Sequence, residues 1–264
     1  MRTLSLFSGI GGLDLGLERA GFEVVGMCEQ DEFCRTILAQ HWPGVPLYED
    51  VRSLGADVPF PGNVECVAGG FPCQDISSAG KGAGIEGKRS GLWFEMLRVV
   101  RLIRPRWVIA ENVPALRTRG ADVVLGGLEE EGYTCWPLLV GACHAGAPHR
   151  RQRVFIVGRL ADASGAGLEE RWHRPGSASE EEPLPPRKCG DSRWPSRPGE
   201  KQQPWEAPRA TQPGLGGAAH GLPRRLDARE RKARLKALGN AVVPQVAEAV
   251  GRAVHFLDGI SRSR

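Results

Sequence analysis

The stretch TLSLFSGIGG, residues 3–12, decides the fold. Residues 3–7 form a short, mostly apolar run that is typical of a buried strand. The turn that follows consists of Phe7, Ser8, Gly9, Ile10, Gly11 and Gly12, and an amphipathic segment, residues 13–20, comes directly after it. A strand, a glycine turn and a helix in this order predict the first unit of an α/β sheet that binds a nucleotide-like ligand.

The same alternation of short apolar runs and amphipathic stretches continues to residue 160. It predicts strands at residues 3–7, 23–28, 66–68, 107–110 and 154–157, and helices at 13–20, 32–41, 92–103 and 121–132. This is the pattern of a parallel sheet covered by helices. Open sheets of this kind bind ligands at the carboxyl ends of their strands, so site residues are expected there.

The composition changes after residue 160. Residues 161–222 lose the periodicity and contain nine prolines, which is typical of a loosely folded insertion. Order is expected to return with a helix at residues 224–238 and a last helix that begins at Pro244. On that last helix one apolar face is formed by Val246, Val250, Val254 and Leu257. The chain is therefore expected to have a main domain at 1–160, a variable region at 161–222 and C-terminal helices at 223–264 that complete the main domain.

Charge and cysteine content narrow the class of protein. The net charge is +4, and residues 221–264 hold 10 Lys/Arg against 4 Asp/Glu, a basic stretch that fits either phosphate contacts or a solvated helix face. The seven cysteines are scattered without a Cys-x-x-Cys pair, which argues against a disulfide framework and a zinc site. The first apolar run is too short for a signal peptide or a membrane span. We therefore expect a cytoplasmic protein with no metal and no membrane partner.

Two carboxylates suit a nucleotide-like ligand: Glu29 ends the predicted strand 23–28, and Asp50 comes after the next crossover. Glu29 lies where such sites place an acid that accepts hydrogen bonds from ribose hydroxyls, and Asp50 is suited to receive an adenine amine. A dinucleotide fingerprint would need a third glycine at position 14, which is Asp14. The sequence therefore disfavours NAD as the ligand.

A cysteine lies where a nucleophile would be well placed. The segment Gly69-Gly70-Phe71-Pro72-Cys73-Gln74 comes directly after the predicted strand 66–68, although most buried cysteines are only small core residues. Glu111 ends the predicted strand 107–110 and brings a carboxyl group to the same edge. A long polar segment with five glycines, residues 74–91, follows Cys73 and is predicted to close over a substrate.

Taken in order, these motifs resemble those of the 5-methylcytosine DNA methyltransferases. The resemblance covers roughly residues 1–160 and 222–257. It rests on the glycine turn, Glu29, Asp50, Pro72-Cys73, Glu111-Asn112-Val113, Arg151-Gln152-Arg153 and Gly239-Asn240-Ala241-Val242-Val243-Pro244. It implies a Rossmann-like fold that uses S-adenosylmethionine, with 161–222 as a short target-recognition region.

The resemblance also implies a reaction and a set of site residues. A methyl group passes from S-adenosylmethionine to C5 of a cytosine flipped out of duplex DNA, after the thiolate of Cys73 has added to C6. The implied catalytic residues are Cys73, Glu111, Arg151 and Arg153. The implied cofactor-binding residues are Phe7, Ser8, Gly9, Ile10, Gly11, Gly12, Glu29, Asp50, Val51 and Asn240. A monomer of bacterial or phage type is expected, and whether a restriction endonuclease accompanies it stays open.

Two alternatives remain. An RNA cytosine-5 methyltransferase shares the chemistry, but such enzymes generally add a second cysteine in a Thr-Cys pair, and here that pair is only Thr134-Cys135 in a predicted strand. A catalytically silent DNA-binding homologue would not need Cys73 or Glu111. The sequence also departs from the family pattern, because His149 stands where a glutamine commonly opens the arginine motif, and because the recognition region is short.

Overall fold

Seven strands form one sheet in the computed structural model, which describes residues 1–72, 91–147, 149–161 and 224–262. The strands are β1 (Arg2–Leu6), β2 (Glu23–Cys28), β3 (Leu47–Tyr48), β4 (Cys66–Gly70), β5 (Trp107–Asn112), β6 (Tyr133–Gly141) and β7 (Gln152–Leu160). The helices are α1 (Gly12–Arg19), α2 (Glu32–His41), α3 (Leu92–Ile103), α4 (Ala121–Glu130), α5 (Arg224–Asn240) and α6 (Pro244–Arg262). Short 3-10 helices lie at Pro114–Thr118 and Ala142–Ala145.

The strand order is β3-β2-β1-β4-β5-β7-β6. The first five strands run parallel, as predicted, but β7 runs antiparallel to both β5 and β6. The prediction of a wholly parallel sheet is therefore wrong at this edge. The reason is the connection from β6 to β7, which contains one short 3-10 helix and no crossover helix, so the two strands pair as a hairpin.

Helices cover both faces of the sheet. On one face α1 and α6 pack against Phe155 and Ile109, and on the other α3 and α4 pack against Val108. The packing of α1 on α6 is close, because Gly16 faces the carbonyl of Pro244 with no room for a side chain. These contacts fix the start of α6 beside α1, and Gly12, the first residue of α1, lies as closely against the carbonyl of Val242.

The predicted helices and strands are confirmed to within a few residues, with three differences. Phe7 is not part of β1, because its φ of 56° ends the strand at Leu6. The short β3 was not predicted, and β6 extends over nine residues. The predicted closing segment, apart from Gly91, and nearly all of the recognition region 161–222 lie outside the described residues.

Candidate active site

A pocket of about 750 Å³ opens at the carboxyl ends of β1, β2, β4 and β5. The sheet reverses its strand order here, with β2 on one side of β1 and β4 on the other. Such a switch point leaves a crevice where α/β sheets bind their ligands. The opposite wall of the pocket is the last turn of α5, from Lys236 to Asn240, followed by Ala241 and Val242.

The glycine turn forms the floor of the pocket. Positive φ angles at Phe7, Gly9 and Gly11 fold the chain back sharply after β1. A methyl group added at Gly9 would meet nothing within 4 Å, so this backbone is open to a ligand. Gly11 instead packs under the ring of Trp42, on the side away from the pocket.

Glu29 lines the pocket and also stabilises the glycine turn by hydrogen bonding. Its Oε2 accepts a hydrogen bond of 2.7 Å from the amide of Gly9, and its Oε1 accepts one of 2.8 Å from the amide of Asp31. Each carboxylate oxygen still has a lone pair for a ribose hydroxyl. The carboxylate therefore links the glycine turn to the start of α2.

Asp50 lines the pocket at a turn that an arginine holds in place. The Oδ1 of Asp50 accepts from the amide of Arg52 at 3.0 Å. From α3, Arg98 donates 2.8 Å hydrogen bonds to the carbonyls of Val51 and Leu54. No local sequence signal predicts this contact, because Arg98 lies more than 40 residues from the turn that it holds.

Glu111 is a buried acid at the end of β5. Its Oε1 lies 2.9 Å from Nε of Arg153, and both side chains are largely shielded from solvent. Burial raises the pKa of Glu111 to about 7, although the nearby Arg153 and Arg151 act in the opposite direction. Burial thus brings the pKa of this carboxyl group into the range in which a side chain can act as a proton donor near neutral pH.

The residues before Cys73 are held against this acid. Gly70 pairs with Glu111 in the register of β4 and β5. The side-chain amide of Asn112 donates a 3.2 Å hydrogen bond to the carbonyl of Phe71, and both residues are buried. Pro72 lines the pocket, and Cys73 is the next residue but lies outside the described residues.

Two other cysteines, Cys28 and Cys34, line the pocket. Burial raises the pKa of each thiol to about 12, and the carboxylate of Glu29 adds to the rise. Both therefore stay protonated at neutral pH. Neither can serve as a thiolate nucleophile under these conditions.

Arg151 lies just before β7 and does not line the pocket. Its Nη2 carries two hydrogens and lies 3.1, 2.8 and 2.6 Å from the carbonyl oxygens of Leu238, Gly239 and Ala241, so it donates to all three by sharing one hydrogen between two of them. Burial lowers the pKa of Arg151, and the neighbouring Arg153 lowers it further. Arg151 and Arg153 thus contact different parts of the site although they are two residues apart.

Within the part of the chain that the structure describes, no three His, Cys, Asp or Glu side chains gather as metal ligands. Among the same residues no helix is long and apolar enough to cross a membrane.

With the geometry established, the comparison with known proteins identifies the family. The sequence pattern of C-5 cytosine-specific DNA methylases matches residues 1–187, which is more than half of the chain. The chain belongs to this family. The match spans the glycine turn, Glu29, Cys73 and Glu111 together.

Several bacterial type II methyltransferases are similar in sequence. The type II methyltransferase M2.BsuMI of Bacillus subtilis is 37% identical over 61% of this chain and 42% of its own length. M.FnuDI of Fusobacterium nucleatum is 35% identical over 64% of this chain and 50% of its own length. M.AquIA of Picosynechococcus is 35% identical over 60% of this chain and 71% of its own length. The chain spans about half the length of the first two relatives.

Solved structures agree on the fold. A DNA modification methyltransferase encoded within an E. coli prophage superposes with a TM-score of 0.50 at 30% identity, over 61% of this chain and 47% of that one. The S. pombe Dnmt2 methyltransferase gives a TM-score of 0.52 at 20% identity, over 69% and 57%. The seven-stranded sheet is therefore the Rossmann-like fold of S-adenosylmethionine-dependent methyltransferases.

Most residues that the methylase motifs predict line one pocket. These are Phe7, Ser8, Gly9, Gly12, Glu29, Asp50, Val51, Glu111, Arg153 and Asn240. Ile10, Gly11 and Arg151 do not line it, and Cys73 lies outside the described residues. Sequence reasoning missed Asp31 and Lys236 on the walls, whose 2.7 Å ion pair joins the N-cap of α2 to α5. The basic stretch that contains Lys236 was the one available signal, and by itself it indicates only phosphate contacts or a solvated helix face.

Proposed function

We propose that this chain is a DNA (cytosine-5)-methyltransferase that uses S-adenosylmethionine and attacks C6 of a flipped cytosine with Cys73. The observation that carries the proposal is the buried ion pair of Glu111 and Arg153 on the wall of the pocket. Glu111 is also in register with Gly70, three residues before Cys73. A carboxyl group that is partly protonated at neutral pH is thereby held beside the backbone that carries the nucleophile.

The pocket has the properties that S-adenosylmethionine requires. Its open backbone at Gly9 gives room for close approach, and the carboxylates of Glu29 and Asp50 offer acceptors for ribose hydroxyls and an adenine amine. Its volume of about 750 Å³ leaves space for a base as well. When bound, the cofactor supplies an electrophilic methyl group on a sulfonium. We assign Val51, the turn from Phe7 to Gly12 and Asn240 to the same site.

The reaction follows from the poor nucleophilicity of cytosine C5. The thiolate of Cys73 adds to C6, and the electron pair of the C5–C6 double bond becomes available at C5. The carboxyl group of Glu111 gives its proton to N3 as charge builds there. C5 would then take the methyl group, and the electron pair of the broken S–CH3 bond would stay on the departing thioether. A base removes the C5 proton, Cys73 leaves as a thiolate while the C5–C6 double bond reforms, and N3 returns its proton to Glu111.

Arg153 balances the charge that this cycle leaves on Glu111. Once the proton has moved to N3, the carboxylate is negative and buried, and its neighbour at 2.9 Å is the guanidinium of Arg153. A buried ion pair of this kind is favourable only when both partners stay in place. Loss of Arg153 should therefore slow the addition of Cys73 more than it weakens cofactor binding.

Organisation and partners form part of the same proposal. Residues 1–160 and 223–264 together form the catalytic domain, and residues 161–222 read the target sequence in duplex DNA. We also propose a monomer in the bacterial cytoplasm, where its DNA substrate lies. A restriction endonuclease partner is proposed from the type II names of the relatives.

The test is transfer of a labelled methyl group from S-adenosylmethionine to mixed-sequence duplex DNA, with tRNA as a parallel substrate. Label in DNA supports the proposal, label in tRNA alone identifies an RNA enzyme, and label in neither identifies a silent binding protein. A variant in which a short Gly/Ser linker replaces residues 165–210 should methylate different DNA sites. Unchanged selectivity would place recognition elsewhere.

The nucleophile has its own test. Cys73→Ala should abolish transfer while cofactor binding stays within about twofold, because the pocket is built from other residues. Duplex DNA with 5-fluorocytosine should form a stable adduct, since fluorine cannot leave as a proton does. A tryptic adduct on any other cysteine would overturn the assignment.

A further inference from the structure

Arg151 and Arg153 contact separate parts of the active site. Arg153 pairs with Glu111, whereas the single Nη2 of Arg151 donates to the carbonyls of Leu238, Gly239 and Ala241. These three acceptors lie 87 to 90 residues from Arg151 along the chain. The contact therefore ties the start of β7 to the junction between α5 and α6.

The acceptors are groups that need a donor. Leu238 and Gly239 belong to the last turn of α5, whose carbonyls have no partner within the helix. The helix dipole also places partial negative charge at this end, which favours a guanidinium. Arg151 is further held in an uncommon backbone conformation, with φ of 21°, and such strain persists where the surrounding contacts fix it.

The end of α5 is also a wall of the pocket. Lys236, Ala237, Gly239, Asn240 and Ala241 all line it. This turn also forms the ion pair of Lys236 and Asp31, whose side chains are 58% and 31% exposed. An exposed ion pair of this kind contributes little. Arg151 instead contacts three carbonyls of this segment, of which that of Ala241 is the partly buried one. A charged donor makes stronger hydrogen bonds to carbonyls than a neutral donor does.

We propose that Arg151 is a positioning residue that holds the α5–α6 junction as a wall of the cofactor pocket, and that it does not touch the target cytosine. The inference rests on the proposed function and divides the arginine motif in two. Arg153 serves the chemistry at Glu111. Arg151 serves cofactor binding through the backbone of Leu238 to Ala241.

The experiment compares Arg151→Ala, Arg151→Lys and Arg153→Ala with wild type. Calorimetry measures S-adenosylmethionine binding without DNA, and steady-state kinetics measures kcat and the two KM values. Arg150→Ala is the matched control, because Arg150 is exposed and its loss removes the same charge one residue away. Melting curves confirm that each variant is folded.

Arg151→Ala should weaken cofactor binding at least tenfold, or about 1.4 kcal/mol, with the KM for DNA within about twofold. Arg151→Lys should recover part of the affinity, because an ammonium group can still donate to carbonyls. Arg153→Ala should show the reverse, with kcat lost and cofactor affinity kept. If Arg151→Ala fails to fold, Arg151→Lys is measured in its place. It should still bind S-adenosylmethionine more weakly than wild type, by a smaller factor.

The inference is overturned if Arg151→Ala keeps its cofactor affinity within twofold and loses kcat, because Arg151 would then act on the substrate. A loss of affinity in Arg150→Ala equal to that in Arg151→Ala would also overturn it, since charge alone would explain both. Failure of the proposed function looks different. Wild type would bind the cofactor and methylate no DNA, while the effect of Arg151 on binding would remain.

Discussion

A methyl group on Gly70 would lie 2.7 Å from Oε2 of Glu111, its partner in the register of β4 and β5. No methyl group fits at that distance, so the absence of a side chain at residue 70 sets the position of the carboxylate. The strand β4, which leads to Cys73, therefore leaves room at Gly70 for the carboxylate of Glu111, its partner on β5.

Gly70→Ala should displace the Glu111 carboxylate and reduce kcat about a hundredfold, which is the scale of a lost general acid. Cofactor affinity should stay near that of wild type, because among the described residues the added methyl group meets only Glu111 within 4 Å. Single-turnover methyl transfer measures the effect. Gly126→Ala is the control, since a methyl group there meets nothing within 4 Å on α4. A Gly70→Ala enzyme with wild-type kcat would contradict this role of Gly70.

Glu111→Gln should show whether the acidic proton of Glu111 matters for catalysis apart from the size of its side chain. Glutamine keeps the size of the side chain but has no acidic proton, so transfer at pH 6 should slow about a hundredfold or more. Burial raises the pKa of Glu111 to about 7, so its protonated fraction falls as pH rises through that value. The ratio of wild-type to variant rate should therefore shrink above pH 7. Thiolate formation at Cys73 affects both proteins equally, and a ratio independent of pH would refute the donor role.

Asp14 should destabilise the folded protein as pH rises. It is fully buried in the first turn of α1, and burial raises its pKa to about 6, with nearby Glu18 and Glu29 adding to the rise. The usual value is 3.8, so between that pH and about 6 the folded state binds more protons than the unfolded state, and stability falls across this window.

Asp14→Asn removes this titration. Its melting temperature relative to wild type should rise by a few degrees between about pH 4 and pH 7 and then level off. Asp122→Asn, in the exposed first turn of α4, should show no such trend. Parallel curves for Asp14→Asn and wild type over that range would show that Asp14 does not titrate there.

Arg98→Met should weaken binding of the adenosine part of the cofactor, because Arg98 holds the carbonyls that follow Asp50. We expect the KM for S-adenosylmethionine to rise about tenfold with kcat nearly unchanged, since the contact affects ground and transition states alike. The inhibition constant of adenosine should rise by a similar factor. Arg101→Met is the control, being exposed on the same helix and paired with Glu131. An unchanged inhibition constant for adenosine would show that Arg98 does not support binding of the adenosine part of the cofactor.

The sequence predicted what depends on local pattern. Strand ends, the glycine turn and the order of acids were enough to assign Glu29, Asp50 and Glu111 to one edge of the sheet, where all three line the pocket. The contacts of Arg98 and Arg151 were not predictable, because each joins segments more than 40 residues apart and depends on packing. The direction of β7 was missed for a related reason. An apolar run indicates a strand, but only the length and content of the preceding connection decide which way it runs.

The reversed direction of β7 has a practical consequence for exchanging specificity. Its first residues, beside Arg153, lie at the pocket, whereas Arg159 pairs with Trp107 at the start of β5, at the opposite edge of the sheet. Glu111 pairs with Phe155, so the chain leaves the sheet near Leu160, about 17 Å along the strand from the level of Glu111. A graft that exchanges the proposed recognition region, joined at Ala161 and rejoined before Arg224, replaces no residue that lines the described pocket. Chimaeras cut at these two points should keep the chemistry of this chain and take their target sequence from the donor.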